Sequence, residues 1–234
     1  MLISLPVLSP VQIIVHSWVK HDSLHLEPIT LLEPPVVLIG RHKDIIVKIS
    51  QTRMNNTPLS MPNLEQLKEA QVRVNNSPHV RRTPLLNNID VPKEGASSQC
   101  FLKLESLQKT GSFKIRGMVN LFAAHEKAIR ENGAVTMSAG NAGKAFAFLA
   151  GQLQIPAATV CMPNTVPADR VKSIEALGAN VVLTTNEGLF PKVEEYVGQG
   201  RILAHPFDSH ELMAGHASVG LEILEDCPDA DIIA

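Results

Sequence analysis

With 234 residues, 44% of them hydrophobic, and a formal net charge of −2, the chain can build a substantial core as one or two domains. Its charges are scattered, which excludes a basic face for nucleic acid or an anionic membrane, and no apolar run approaches the ~20 residues of a membrane-crossing helix. Cys100, Cys161 and Cys227 are odd in number, far apart and without a Cys-x-x-Cys pair, so neither a disulfide framework nor a metal site is expected; small-molecule chemistry in a reducing, cytoplasmic setting is.

Residues 1–61 differ from the rest and are left unassigned. Met1 to Val15 contains Pro6 and Pro10 and has no basic start, unlike a secretory leader. Pro28, Pro34 and Pro35 follow, and the β-branched runs Val36–Ile39 and Ile45–Val47 fit either the strands of a small extension or a poorly ordered segment.

From Pro62 the pattern is clearer. Asn63 is suited to cap a helix with Leu64, Leu67, Ala70 and Val74 on one face and Asn75-Asn76 as its stop. Arg82-Thr83-Pro84-Leu85 opens an extended segment. The run Lys103 to Gly117, KLESLQKTGSFKIRG, then sets Gly111-Ser112 as a tight turn with exposed backbone N–H groups, Phe113 as a flat ring, and Lys114 directly before a helix. That helix is expected from Ile115, with Ile115, Met118, Phe122 and Ile129 on one side, to Asn132-Gly133. Strands at Ala134–Met137, Ala157–Met162, Val181–Thr185 and Arg201–Ala204 alternate with helices around Ala142–Leu153, Pro167–Leu177 and Leu189–Val197. Such alternation predicts a parallel, doubly wound sheet. A helix from Glu211 to Glu225 and a strand opening at Asp231 complete the chain.

Between the first of these strands and its helix lies Ser138-Ala139-Gly140-Asn141-Ala142-Gly143, whose backbone N–H groups and helix N-terminus suit an anion. A nucleotide-phosphate loop needs a glycine at Ser138 and a hydroxyl at Ala145, and has neither.

The lysine run and this loop together resemble the fold-type II pyridoxal-phosphate enzymes, in particular the serine/threonine dehydratase and serine racemase branch. The resemblance covers about residues 62–234 and includes the Leu107-Gln108-Lys109-Thr110 approach and the Arg116-Gly117 exit. It implies an α/β, tryptophan synthase β-like fold in which residues 62–127 and 205–234 belong to a large domain and residues 128–204 to a small one, with the active site in the cleft between them. It implies pyridoxal 5′-phosphate as cofactor, Lys114 as its Schiff-base partner and then the base at the α-carbon, and Phe113 packed against the pyridine ring. Asn141 is expected on the cofactor's 3′ oxygen, with Ser138, Ala139, Gly140, Asn141 and Ala142 around the substrate carboxylate.

The implied reaction is ammonia-lyase action on L-serine or L-threonine, giving a 2-oxo acid and ammonia. Ala139 stands where serine racemase has its opposite-face serine base, which argues for elimination over racemisation, and Ala142 replaces a usual histidine. Ile115-Arg116 differs from the Asp-Arg of the β-replacement branches. His205 and His216 are expected as surface or satisfied turn positions, His216 standing where a glutamine is common. The family's glycine-rich phosphate loop is expected after the strand opening at Asp231, and the chain has no Gly-Gly pair, so the large domain is expected to be incomplete. Two alternatives stand beside it: a catalytically inactive, truncated homologue acting as a binding or dimerisation partner, and a serine racemase-like activity; the chain is expected to form a homodimer or to associate with a homologue.

Overall fold

The structure, a computed structural model, describes residues 12–15, 37–41, 44–48, 61–90, 99–230 and 232–233. Pro6, Pro10, Pro28, Pro34, Pro35 and Asp231 lie outside the described residues. The chain divides into two compact units: Leu59–Arg82 with Ser106–Leu221, and Met1–Pro58 with Thr83–Glu105 and Glu222–Ala234.

In the first of these units the chain enters through α1 (Leu64–Asn75), which starts at Asn63 because two first-turn donors are satisfied reciprocally. Asn63 Oδ1 accepts the Gln66 N–H at 3.0 Å, and Gln66 Oε1 accepts the Asn63 N–H at 2.8 Å. Ala70 and Val74 are buried, whereas Leu64, in the first turn, is 55% exposed and contributes nothing to the core. The helix expected from Ile115 to Asn132 is two helices, α2 (Lys114–Ala124) and α3 (Glu126–Asn132). The break is at His125, whose φ of −115° and ψ of 21° depart from helical values while its N–H still reaches the Leu121 carbonyl at 3.1 Å. Gly133 ends α3 at φ +79°, where an added Cβ would come within 2.8 Å of the Ala157 carbonyl.

Four parallel strands follow: β6 (Ala134–Met137), β7 (Thr159–Pro163), β8 (Asn180–Thr184) and β9 (Ile202–Leu203), ordered β8-β7-β6-β9. Their crossovers carry α4 (Asn141–Gln152), α5 (Ala168–Glu175) and α6 (Leu189–Gly198). β6 is buried along its whole length, as expected of a central parallel strand covered on both faces. The two-residue period of the strands divides the core accordingly. Ala134, Val160 and Met162 pack with Phe146, Leu149 and Ile174 from α4 and α5, while Val135, Met137 and Cys161 pack with Val193 of α6. Helices thus cover both faces, the doubly wound arrangement that the alternation predicts.

The last helix, α7, spans His210–Asp226. In the other unit, β4 (Leu85–Asp90) and β5 (Gln99–Lys103) belong to a six-stranded sheet with β1 (Gln12–Val15), β2 (Val37–Arg41), β3 (Asp44–Lys48) and β10 (Ile232–Ile233). Its order is β3-β2-β10-β1-β5-β4, parallel where β1 meets β10 and β5, antiparallel elsewhere. The two β-branched runs near residues 36–47 are therefore an antiparallel strand pair. Lys103, the first residue of the lysine run, is fully buried and its Nζ lies 2.8 Å from Glu222 and 3.5 Å from Asp226, while donating to the Thr83 carbonyl at 2.7 Å. Its position in the run is architectural: a buried ammonium needs such a ring of acceptors. Among the described residues Cys100, Cys161 and Cys227 form no disulfide. Among the described residues no helix is long and apolar enough to cross a membrane.

Candidate active site

Among the described residues, Lys114 and its neighbours Phe113, Pro206 and His216 belong to one unit of the fold. The segment leading to it is fixed by backbone-mimicking contacts. Gln108 accepts the Arg81 N–H at 3.0 Å and donates to the Arg81 carbonyl at 2.7 Å, and Lys109 Nζ donates to the Pro78 carbonyl. Gly111 turns the chain at φ +79°, with its N–H on the Gln108 carbonyl at 2.8 Å. Phe113 then occupies the N-cap position of α2 and Lys114 the first helical position.

Lys114 is partly buried. Its Nζ donates to the Pro206 carbonyl at 3.3 Å and lies 4.9 Å from the centroid of the Phe113 ring. Burial lowers its pKa from the ordinary lysine value, because the ammonium loses more hydration than one carbonyl and one ring replace. The uncharged amine, the nucleophilic form, is correspondingly easier to reach.

The two residues after Ile115 explain the exit of the run. Arg116 is wholly buried; it donates to Ser218 Oγ of α7 at 3.2 Å and to the Arg81 carbonyl at 3.4 Å. Gly117 is required by space, since an added Cβ would overlap the His216 ring and sit 2.7 Å from the Leu212 carbonyl oxygen. The Gly117 N–H donates to His216 Nδ1 at 3.1 Å. One turn later, Asn120 donates to the Glu211 carbonyl at 2.7 Å and accepts from Arg73 of α1 at 3.2 Å. α1, α2 and α7 are thereby tied together behind the lysine.

α4 packs against α2. Lys144, one turn into α4, reaches to within 3.9 Å of where a Cβ on Gly111 would stand, and further along Phe122 and Phe146 pack edge-to-face at 5.6 Å. Asn141 is the first residue of α4 and Gly140 its extended N-cap, so the loop N–H groups gather at a helix N-terminus. Gly143 has no room for a side chain beside the Ser138 backbone. Ser138 Oγ accepts the Gly140 N–H at 3.2 Å, and Arg170 of α5 donates to the Ala139 carbonyl at 3.3 Å. Ala142 is buried, and its methyl packs into the core. Among the described residues no hydrogen bond links Asn141 directly to Lys114.

Two histidines behave differently from each other. His205 is the satisfied turn position expected: its Nδ1 accepts the Asp208 N–H at 2.8 Å and the Phe207 N–H at 3.4 Å. His216 departs from that expectation, because its ring packs edge-to-face on Phe113 at 4.9 Å and its Nε2 is buried without a hydrogen-bond partner. Burial, with the charges of Lys114 and Arg116, pushes it well below the ordinary histidine range. Thr110 Oγ1 and Ser112 Oγ, either side of Gly111, are likewise buried without partners.

L-threonine ammonia-lyase of Thermotoga maritima is 38% identical over 178 residues, covering 74% of this chain and 43% of that protein. Serine racemase of Oryza sativa subsp. indica is 34% identical over 175 residues, covering 73% of this chain and 50% of that protein. The structure of maize serine racemase superposes with a TM-score of 0.62 at 30% identity, over 72% of this chain and 51% of that one. The chain spans about half the length, or less, of these proteins. Residues 76–234 match the pyridoxal-phosphate dependent enzymes. With its parallel sheet, its helices on both faces and these relatives, the chain belongs to the family of pyridoxal-phosphate dependent enzymes, in the fold-type II class.

Proposed function

We propose that this protein acts as a pyridoxal-phosphate-dependent L-serine or L-threonine ammonia-lyase in which Lys114 is the working amine. The observation that carries the reading is the state of Lys114: a half-buried amine at the first position of a helix, with burial disfavouring its charged form. The residues present fit the aldehyde end of the cofactor. An amine able to lose its charge stands beside a flat ring, and the turn before it carries two buried hydroxyls, Thr110 and Ser112, that lack partners. In this reading Lys114 would hold the cofactor covalently, with Phe113 available to its ring and Asn141 to its 3′ oxygen.

When bound, the cofactor supplies an electron sink for charge that develops at the α-carbon of the amino acid. The chain does the rest. The N–H groups of Ser138 to Ala142, at the N-terminus of α4, orient the substrate carboxylate. Arg170 steadies that loop through the Ala139 carbonyl. Lys114 Nζ, uncharged, would take the α-proton, the β-hydroxyl would leave with a proton as water, and a second water would hydrolyse the resulting enamine to the 2-oxo acid and ammonia. Ala139 supports elimination over racemisation, since a methyl group has no proton to deliver to the opposite face.

Borohydride reduction of the protein with pyridoxal phosphate should fix a pyridoxyl group on the peptide containing Phe113-Lys114-Ile115, and Lys114→Ala should abolish it. The same protein should release 2-oxo acid from L-serine or L-threonine. Undiminished labelling in the Lys114→Ala variant would show that another amine is used.

A further inference from the structure

The first turn of α2 has an unusual hydrogen-bond route. The Phe113 carbonyl accepts the Arg116 N–H at 3.0 Å, in a tight turn, and the next N–H, of Gly117, leaves the helix for His216 Nδ1 at 3.1 Å. A nitrogen that accepts a backbone N–H carries no proton itself. Neutral imidazole has one proton, so it resides on Nε2. The neutral form is the one expected here, because burial and the charges of Lys114 and Arg116 oppose a second proton.

Nε2–H is therefore a donor, and it is buried with no acceptor. Leaving such a group unmatched is costly, and buried donors without partners are uncommon. Its surroundings indicate what it serves. The His216 ring sits 4.9 Å from the ring of Phe113, and the Lys114 Nζ lies 4.9 Å from the same Phe113 ring. His216 and Lys114 thus both stand beside the Phe113 ring. The absence of a Cβ on Gly117 makes the approach of the imidazole possible.

We propose that His216 is a positioning residue of the lysine site: Nδ1 fixes the first turn of α2 through Gly117, and Nε2–H is the donor for an acceptor oxygen or nitrogen of the molecule that reacts with Lys114. The inference rests on the reading of Lys114 as the reactive amine, and extends it to a residue of α7. The ligand class follows from the chemistry of the donor: a carbonyl, phenolate or carboxylate acceptor, as carried by pyridoxal phosphate and by amino acids, is matched by a neutral N–H, whereas an ammonium is not.

Two isosteres separate the two nitrogens. His216→Asn keeps an acceptor at the place of Nδ1 and loses the outer donor. His216→Gln carries an amide N–H at the reach of Nε2. Visible-absorbance titration with pyridoxal phosphate, run on wild type and both variants together with their melting temperatures, should show His216→Asn melting close to wild type but binding about fivefold more weakly. His216→Gln should bind within about twofold of wild type.

A ¹⁵N spectrum of wild type should show the His216 proton on Nε2, its resonance moving when pyridoxal phosphate is added. A His216→Asn protein that binds as tightly as wild type would overturn the proposal, as would a proton found on Nδ1. If His216→Asn fails to fold, the wild-type spectrum decides alone: a moving Nε2–H signal supports the proposal and an unmoved one overturns it. Wild type that forms no visible band and takes no reductive label would overturn the reading of Lys114 and this proposal with it. A labelled wild type with an unmoved His216 signal would overturn only the proposal.

Discussion

Gly117→Ala is the most exacting perturbation of the packing behind Lys114. In an ordinary helix the change would be favourable by ~1 kcal/mol, because alanine is the better helix former. Here the new methyl would meet the His216 ring and, more seriously, the Leu212 carbonyl oxygen at 2.7 Å. A side chain can swing away, but a backbone carbonyl inside α7 cannot without moving the helix. Forced overpacking of this kind costs ~1–3 kcal/mol. Displacing His216 would also break its bond with the Gly117 N–H, costing ~1 kcal/mol more. The overpacking and the lost bond together outweigh the helix gain, leaving a net destabilisation of ~1–3 kcal/mol. For a protein of this size each kcal/mol corresponds to a fall of ~2–4 °C in Tm. Thermal melts followed by circular dichroism should therefore place Gly117→Ala roughly 2–12 °C below wild type. Gly198→Ala is the matched control: it also lies in a helix, α6, with no atom within 4 Å of the added Cβ, and should melt at or slightly above wild type. A Gly117→Ala protein as stable as the control would refute the close approach of α2 and α7.

Two further outcomes test the chemistry. Ala139→Ser should raise D-serine formation relative to pyruvate from L-serine, measured by chiral chromatography of the products; wild type making D-serine faster than pyruvate would contradict the role of the missing hydroxyl. Because burial lowers the Lys114 pKa, the folded protein gives up this proton at a lower pH than the unfolded chain does, at about 10.5. Between the lowered value and about 10.5 the unfolded state binds more protons, so stability rises with pH there, whereas below the lowered value the cost of burying the charge is constant. Urea midpoints of wild type relative to Lys114→Met should accordingly improve as pH is raised toward 10.5, and a flat or falling difference would contradict a buried ammonium.

Much of this molecule is legible in its sequence because the signals are local. The alternation from Ala134 to Ala204 predicts a parallel sheet since strand and helix periods differ, and Gly133 and Gly178 mark ends at φ of +79° and +105° where other residues are strained. The lysine run is legible as a motif, yet the reasons for its letters are not. Lys103 needs Glu222, Gln108 needs the Arg81 backbone, and Arg116 needs Ser218, partners 119, 27 and 102 positions away. His216 is missed for the same reason: its burial is set by Phe113 and Gly117, and nothing beside it in the chain announces either. The division of α2 from α3 at His125 has no glycine or proline to signal it. The exposure of Leu64 likewise depends on where α1 is covered, which its own periodicity does not state.

Lys114 is the first helical residue of α2, and that placement acts on the nitrogen independently of burial. The peptide dipoles of α2 sum to a partial positive charge at its N-terminus, so an ammonium there is opposed by the helix while a neutral nitrogen is not. The bias is reciprocal. Any event that removes the charge from Nζ also removes a repulsion from the first turn of α2, and the helix gains what the cation had cost it. The charge on the lysine is in this way coupled to the order of the backbone that presents it, with no conformational switch required.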